Sequence, residues 1–243
     1  MNLQEFSNEF DVLYNNITSN QAPGLNEYEK SVFLTKAQYQ IIKHYANPRS
    51  NKVQQGLDES PKRQIDFSTL YKTALGARNT NPVRLSFDTR SQAYMIPEDV
   101  FIIVNEQCQG KKIYTVLPIT SEQYDTLMQK PYPYPPKNIV WRLLTEQLDF
   151  APLVELIGGE ENMYYKIRYI KRPQPIILED LEEDYSIDGQ SEKSECELPE
   201  EIHNEVLQRA VELASLAYKG DLQAQLAAGS VSQTDIGVLS QGS

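Results

Sequence analysis

The residues from Asp184 to Glu195 are spaced for calcium. Asp184, Ser186, Asp188, Gln190, Glu192 and Glu195 take positions 1, 3, 5, 7, 9 and 12 of a calcium loop, and Gly189 takes position 6. Such loops gather about seven oxygens, the seventh position giving its backbone carbonyl and the twelfth a bidentate carboxylate. The surroundings argue the other way. The segment ahead of the loop carries Pro173 and Pro175 and reads as strand, where this kind of loop follows a helix. Ser191 stands at position 8, usually an aliphatic residue, and an acid-rich stretch produces partial matches easily. The expectation is therefore no metal and no cofactor, with this loop as the one candidate calcium site and a calcium-binding interaction module as the alternative function of a different class.

Other chemistry is thinner still. His44 and His203 each fall on a predicted helix, and nothing in their neighbourhood supplies the nucleophile and acid of a triad. Cys108 and Cys196 have no finger-like spacing to either histidine. Two cysteines make no disulfide framework, so a reducing compartment is expected. No glycine-rich phosphate loop is present, and Gly158-Gly159 reads as a hairpin turn. Lys166, Arg168, Lys171 and Arg172 form a basic cluster on or just after a strand. Alternation puts Lys166 and Arg168 on one face and Tyr165, Ile167 and Tyr169 on the other. Contact with nucleic acid and pairing with the acidic stretch downstream both remain open for the cluster. Trp141 reads as core. No catalytic residue is predicted, and the chain reads as a protein that is not an enzyme and works through its surfaces.

Charge sharpens that reading. The chain has 243 residues and a formal charge of -11. Eleven acids fall between Glu179 and Glu201 against the single base Lys193, so this segment holds -10 of the total. An acidic balance disfavours broad binding to nucleic acid or anionic membranes. No apolar run approaches the roughly 18 residues of a membrane helix. The opening Met1-Asn2-Leu3-Gln4-Glu5 has neither a basic stretch nor an apolar core, so no secretory leader is expected.

The elements that must position these groups can be read from periodicity. Leu3, Phe6, Phe10, Leu13, Tyr14 and Ile17 predict a first helix, and Pro23-Gly24 a turn after it. A second helix follows, capped by Asn26 with Glu29 three residues on. Tyr28, Val32, Ala37, Ile41 and Tyr45 trace its face, widened by Phe33, Leu34 and Ile42, and Pro48 ends it. Residues 93–104, 113–119, 138–144, 163–170 and 175–178 carry strand signals. The run 113–117 is expected to pair with 100–104 through a turn at Gln109-Gly110-Lys111, and Ser121 to cap a short helix reaching Met128. The run Pro131-Tyr132-Pro133-Tyr134-Pro135-Pro136 must be extended. A long helix from Pro199 to Tyr218 carries Ile202, Val206, Ala210, Val211, Ala214, Ala217 and Tyr218 on one stripe.

The expected fold class is α+β. An N-terminal helical hairpin (1–47) packs with the C-terminal helix (199–219), and a β-rich domain (63–178) is inserted between them. A loop (48–62), an acidic connecting segment (179–198) and a flexible tail (220–243) complete the chain.

Three stretches resemble virion structural proteins of crAss-like bacteriophages. The first, Asn26 to Gln38 (NEYEKSVFLTKAQ), resembles their N-terminal helix. The second, Tyr165 to Ile176 (YKIRYIKRPQPI), resembles a strand-turn segment. The third joins Ile187-Asp188-Gly189, Glu195-Cys196-Glu197-Leu198-Pro199 and Leu207 to Ala214 (LQRAVELA), in the family's order. None is a catalytic motif. The resemblance implies a head-tail connector, a ring or adaptor in the portal-tail region of a short-tailed phage virion, made in the host cytoplasm. It implies a homo-oligomer of twelve copies that contacts the portal and neighbouring ring or tail proteins. Genomic DNA would pass through its lumen without sequence-specific binding, and no membrane is involved. A minor capsid or tail-tube component is the alternative within the same class. The acidic segment is expected either to line the lumen or to dock on a basic partner, and the tail to order on assembly.

Overall fold

The computed structural model describes residues 1–18, 23–46, 67–79, 91–130, 134–145, 152–182 and 184–218. The expected loop at 48–62, the first half of the proline run and the tail at 220–243 lie outside the described residues, in the last two cases from 131 to 133 and from 219 onward. The chain divides into two compact units, Met1–Tyr45 with Pro173–Ser243, and Ala46–Arg172. Helices from both ends of the chain thus share one unit, and an inserted β-rich unit lies between them in sequence, the α+β class read from the sequence.

In the helical unit, α1 (Leu3–Thr18) and α2 (Glu27–Ala46) open with the same device. Glu5 N–H donates to Asn2 Oδ1 at 2.8 Å while Asn2 N–H donates to Glu5 Oε2 at 2.8 Å. Asn26 and Glu29 repeat the exchange at 2.8 and 2.9 Å, as their spacing predicts. Leu3, Phe6, Phe10 and Tyr14 form the buried stripe of α1, whereas Ile17 is exposed. Each buried phenylalanine contributes about 1.5–3 kcal/mol over an exposed one. The last described helix, α4, covers residues 200–218. Its buried face is Ile202, His203, Val206, Leu207, Ala210, Val211, Ala214 and Ser215. The expected stripe ran one turn further, but Ala217 and Tyr218 face outward.

The buried face of α2 is only in part the one read from its apolar residues. Val32 and Phe33 are only half-buried, while Lys30, Ser31, Thr35 and Gln38 are buried beside Leu34, Ala37, Ile41 and Ile42. The reason is the segment 173–178. It carries a strand signal, yet it joins no strand ladder and makes one isolated bridge, Ile177 to Ser194. Instead it runs extended along α2. Ile176 N–H donates to Thr35 Oγ1 at 3.0 Å, Leu178 N–H to Ser31 Oγ at 3.0 Å, and Gln38 Nε2 donates to the Gln174 carbonyl at 2.9 Å. A buried backbone must find partners, and here helix side chains at i, i+4 and i+7 supply them in place of a neighbouring strand.

The second unit holds β1 (Tyr71–Leu75), β2 (Ala77–Asn79), β3 (Gln92–Met95), β4 (Val100–Gln109), β5 (Ile113–Pro118), β6 (Ile139–Thr145), β7 (Leu153–Ile157) and β8 (Tyr164–Lys171), with a short helix α3 (Ser121–Met128). The strand order is β1-β8-β4-β5-β6-β7-β3-β2. All pairs are antiparallel except β5 with β6. The two ends of this order, β1 and β2, are consecutive in the chain and separated by Gly76 alone. The sheet must therefore curl until its ends meet, as a barrel. Gly76 makes the corner: a Cβ there would lie 2.9 Å from Tyr165 Cδ1 and 3.0 Å from Tyr94 Cβ. Tyr94, Cys108, Val140, Leu156, Tyr165 and Ile167 belong to the buried interior. Trp141, Leu143 and Ile157 face the other way and pack with Tyr124 of α3, so Trp141 is core as expected.

Several local expectations are corrected. The run 93–104 breaks into β3 and β4, with Ile96 to Asp99 between them. Strands β1, β2 and β7 carried no separate sequence signal, because β7 is buried along its whole length and β1 and β2 are short. The turn after Gln109 forms, but only Cys108 with Tyr114 and Gln109 with Ile113 pair across it. Beyond that β5 turns to β6, while β4 stays paired along its other edge with β8. Glu106 and Arg142 fill the fork this leaves, with Arg142 Nε 3.0 Å from Glu106 Oε1, and the Tyr165 hydroxyl donates to the same carboxylate. Gly158-Gly159 is a turn, though not a hairpin, since β7 and β8 are not neighbours. Thr120, not Ser121, caps α3, its side chain accepting from Gln123 N–H at 3.2 Å.

Candidate interaction surfaces

Of the groups considered for catalysis, His203, Cys108 and Cys196 are placed for packing and His44 lies on the surface. His203 is buried on α4 with its ring 5.3 Å from that of Phe6. Its Nε2 lies 2.8 Å from the Leu198 carbonyl and its Nδ1 2.9 Å from the Met1 amino group. Burial pulls its pKa below the usual value, the Leu198 carbonyl opposes this, and the nearby ammonium adds to it. His44 is exposed on α2, its ring beside that of Tyr45. Cys108 sits in the barrel interior 3.4 Å from the Met163 sulfur, and Cys196 is 3.4 Å from Gln38 Oε1 in the helical unit. Burial pushes both thiols up to about 11, so at neutral pH neither is a thiolate nucleophile. The Tyr165 hydroxyl is likewise held above its ordinary range, by burial first and the Glu106 carboxylate second.

Residues 177–182 and 184–194 fold back on each other as a hairpin. Ile177 bridges Ser194, Leu181 N–H donates to the Ser191 carbonyl at 2.8 Å, and Lys193 N–H donates to Asp180 Oδ1 at 2.8 Å. At the tip, Ile187 and Gln190 exchange backbone hydrogen bonds of 2.9 and 3.0 Å around Asp188 and Gly189. Both tip residues have positive φ, 50° and 79°, the two-residue geometry that favours Asp-Gly. The hairpin is fixed to α2 by Tyr185 against Tyr28, ring centroids 4.9 Å apart, and by the Tyr39 hydroxyl on Asp188 Oδ2.

The six candidate calcium residues therefore ride on a hairpin stem and its tip. Asp184, Ser186, Asp188, Gln190, Glu192 and Glu195 are all exposed. Among the described residues no three His, Cys, Asp or Glu side chains converge as a metal-binding group. What the hairpin does present is negative charge: Glu179, Glu182, Asp184, Glu192 and Glu195 point outward and make no ion pair among the described residues.

The basic cluster divides. Lys166 and Arg168 lie on the outer face of β8, and Tyr165, Ile167 and Tyr169 are buried, as alternation requires. Lys171 ends the strand and Arg172 follows it, exposed. Register extends the outer face across three strands. Lys166 is opposite Leu75 of β1 and Gln107 of β4, and Tyr164 is opposite Gln109, itself opposite Ile113 of β5. Leu75, Ile113 and Tyr164 are 68%, 73% and 73% exposed, large for apolar side chains on a sheet. Sequence reading picked out the two cations and missed these three. The signal was present as apolar residues at outward positions of strands whose register was not yet known.

The molecule thus offers two surfaces of opposite character and no assembled catalytic group among the described residues. Its sequence relatives decide what kind of protein uses them. The profile of the phage tail ring protein 3/4 family matches residues 1–226. The chain belongs to that family.

As a ring protein it is a structural component of the virion of a crAss-like phage, and it assembles with other virion proteins. It is 50% identical over 240 residues to Ring protein 4/5 of Bacteroides phage crAss001, covering 96% of this chain and all of the relative. It is 33% identical over 227 residues to Ring protein 3 of the same phage, covering 89% of this chain and 96% of the relative. Both matches span the helical and the barrel units. No described helix is long and apolar enough to cross a membrane.

Proposed function

We propose that this ring protein builds a closed homo-oligomeric ring in the portal-tail region, links the portal to the tail and forms part of the DNA passage. The observation that carries this reading is the end-to-end match to two named ring proteins of one phage, the nearer being 50% identical. Twelve copies is the number proposed for the ring, matching head-tail connectors of short-tailed phages. The protein acts by assembly and not as an enzyme. Its two thiols are protonated at neutral pH and its buried histidine is engaged on both nitrogens.

Residues 221–243 are proposed to thread along the portal or the next ring and to order only there, so that many weak segments act together. Removing 221–243 tests this: portal attachment is expected to fall sharply, and attachment equal to that of the full chain contradicts it. Cryo-electron microscopy of the virion tests the location. The barrel and three-helix units should fit density directly below the portal, and density elsewhere in the particle would reassign the ring.

A further inference from the structure

Copies of a chain carrying -11 repel one another, so a ring of them needs local attraction to hold its seams. Two features supply it. One is the acidic hairpin of residues 179–182 and 184–195, whose outward carboxylates Glu179, Glu182, Asp184, Glu192 and Glu195 have no ion-pair partner among the described residues. The other is the outer sheet face of Lys166 and Arg168 flanked by Leu75, Ile113 and Tyr164, whose two cations also make no ion pair among the described residues. We propose that the hairpin of one copy docks on this sheet face of the next, and that this contact closes the seam of the ring. The inference rests on the ring reading and adds to it which surfaces meet.

Each side suits the other. Carboxylates of the hairpin meet Lys166 and Arg168, while the half-exposed Tyr185 brings an apolar body to the Leu75, Ile113 and Tyr164 side chains. Apolar contact between these excludes water and strengthens the charge pairs beside it. The hairpin is preorganised by its own backbone bonds and by Tyr28 and Tyr39, so little freedom is lost on docking. The two surfaces lie on different parts of one chain, so the contact is head-to-tail, the kind that generates rings. An acidic hairpin also has no attraction for DNA, which leaves the basic face as the surface most in need of cover inside a DNA-filled particle.

Charge exchange tests this in the full-length chain. Lys166→Glu with Arg168→Glu, and separately Glu182→Lys with Asp184→Lys, should each weaken assembly at least tenfold, read by mass photometry alone and with the portal. All four substitutions in one chain should restore the ring. A chain carrying Arg168→Cys and Asp184→Cys should give, on mild oxidation, a ladder of cross-linked multimers in denaturing gels. Near-UV circular dichroism of each variant checks that it is folded. Rings that form normally with either charge-reversed pair would overturn the inference and leave the ring reading standing. So would a cross-link confined within single chains, or a basic-face variant that loses only affinity for DNA or for the portal. A wild-type chain that forms no ring alone or on the portal would overturn the ring reading, and this inference with it.

Discussion

The helical unit and the barrel satisfy their buried backbone in opposite ways. The barrel uses strand ladders almost throughout, and among the described residues its interior holds a charged group of Glu106 with Arg142 and Tyr165. The helical unit lays an extended segment against a helix and bonds it with Ser31, Thr35 and Gln38. It also buries Lys30, whose Nζ lies 2.7 Å from Asp11 Oδ2 and 2.9 Å from Glu27 Oε1. Backbone ladders are regular and distribute their load. Side-chain bonding is local, so single substitutions there remove a whole contact. The difference predicts a barrel sensitive to a few interior positions and a helical unit sensitive at many polar ones.

The largest expected effect breaks the interior ion pair of Arg142 and Glu106. Arg142→Met leaves the Glu106 carboxylate largely buried without its cation and should cost about 3–5 kcal/mol in urea unfolding. Adding Glu106→Leu should recover most of that loss. If the double variant is no more stable than the single, the fork between β4 and β5 depends on polarity and not only on filling. Next is the corner. Gly76→Ala places a methyl against Tyr165 and Tyr94 and should cost about 2–3 kcal/mol. A neutral result would mean that the sheet is not closed at that point.

A smaller loss is expected in the helical unit. Thr35→Val removes the acceptor of Ile176 N–H and should cost about 1–2 kcal/mol. Hydrogen exchange should speed up at Ile176 while the barrel amides keep their protection. The smallest effect is the pH response of His203. Its folded pKa lies below the unfolded value, so its contribution is complete above about pH 6.5 and is lost as pH falls below that through the folded pKa. The Tm should therefore drop on acidification, and His203→Gln should flatten that slope.

How far the sequence reached depended on whether a signal was local. The Asn26 cap, the helix at 200–218 and the packing of helices from both ends are set by residues within a turn of each other, or by stripes visible in one window. The strand pairing is not. Barrel closure hangs on Gly76, which looks like any other glycine until Tyr94 and Tyr165 arrive from distant parts of the chain. The missed polar part of the α2 face has the same origin, since Ser31, Thr35 and Gln38 are buried where residues 174–178 need partners. Of the surface features, the acidic stretch and the alternation of Lys166 and Arg168 were legible, and the apolar residues that surround the cations were not. That neighbourhood is a matter of register, and register is fixed by the closed barrel.

The most direct test of the account is mass photometry of the purified chain, alone and mixed with the phage portal. A ring-sized species in either sample is the predicted result. A monomer that persists and ignores the portal would contradict the account.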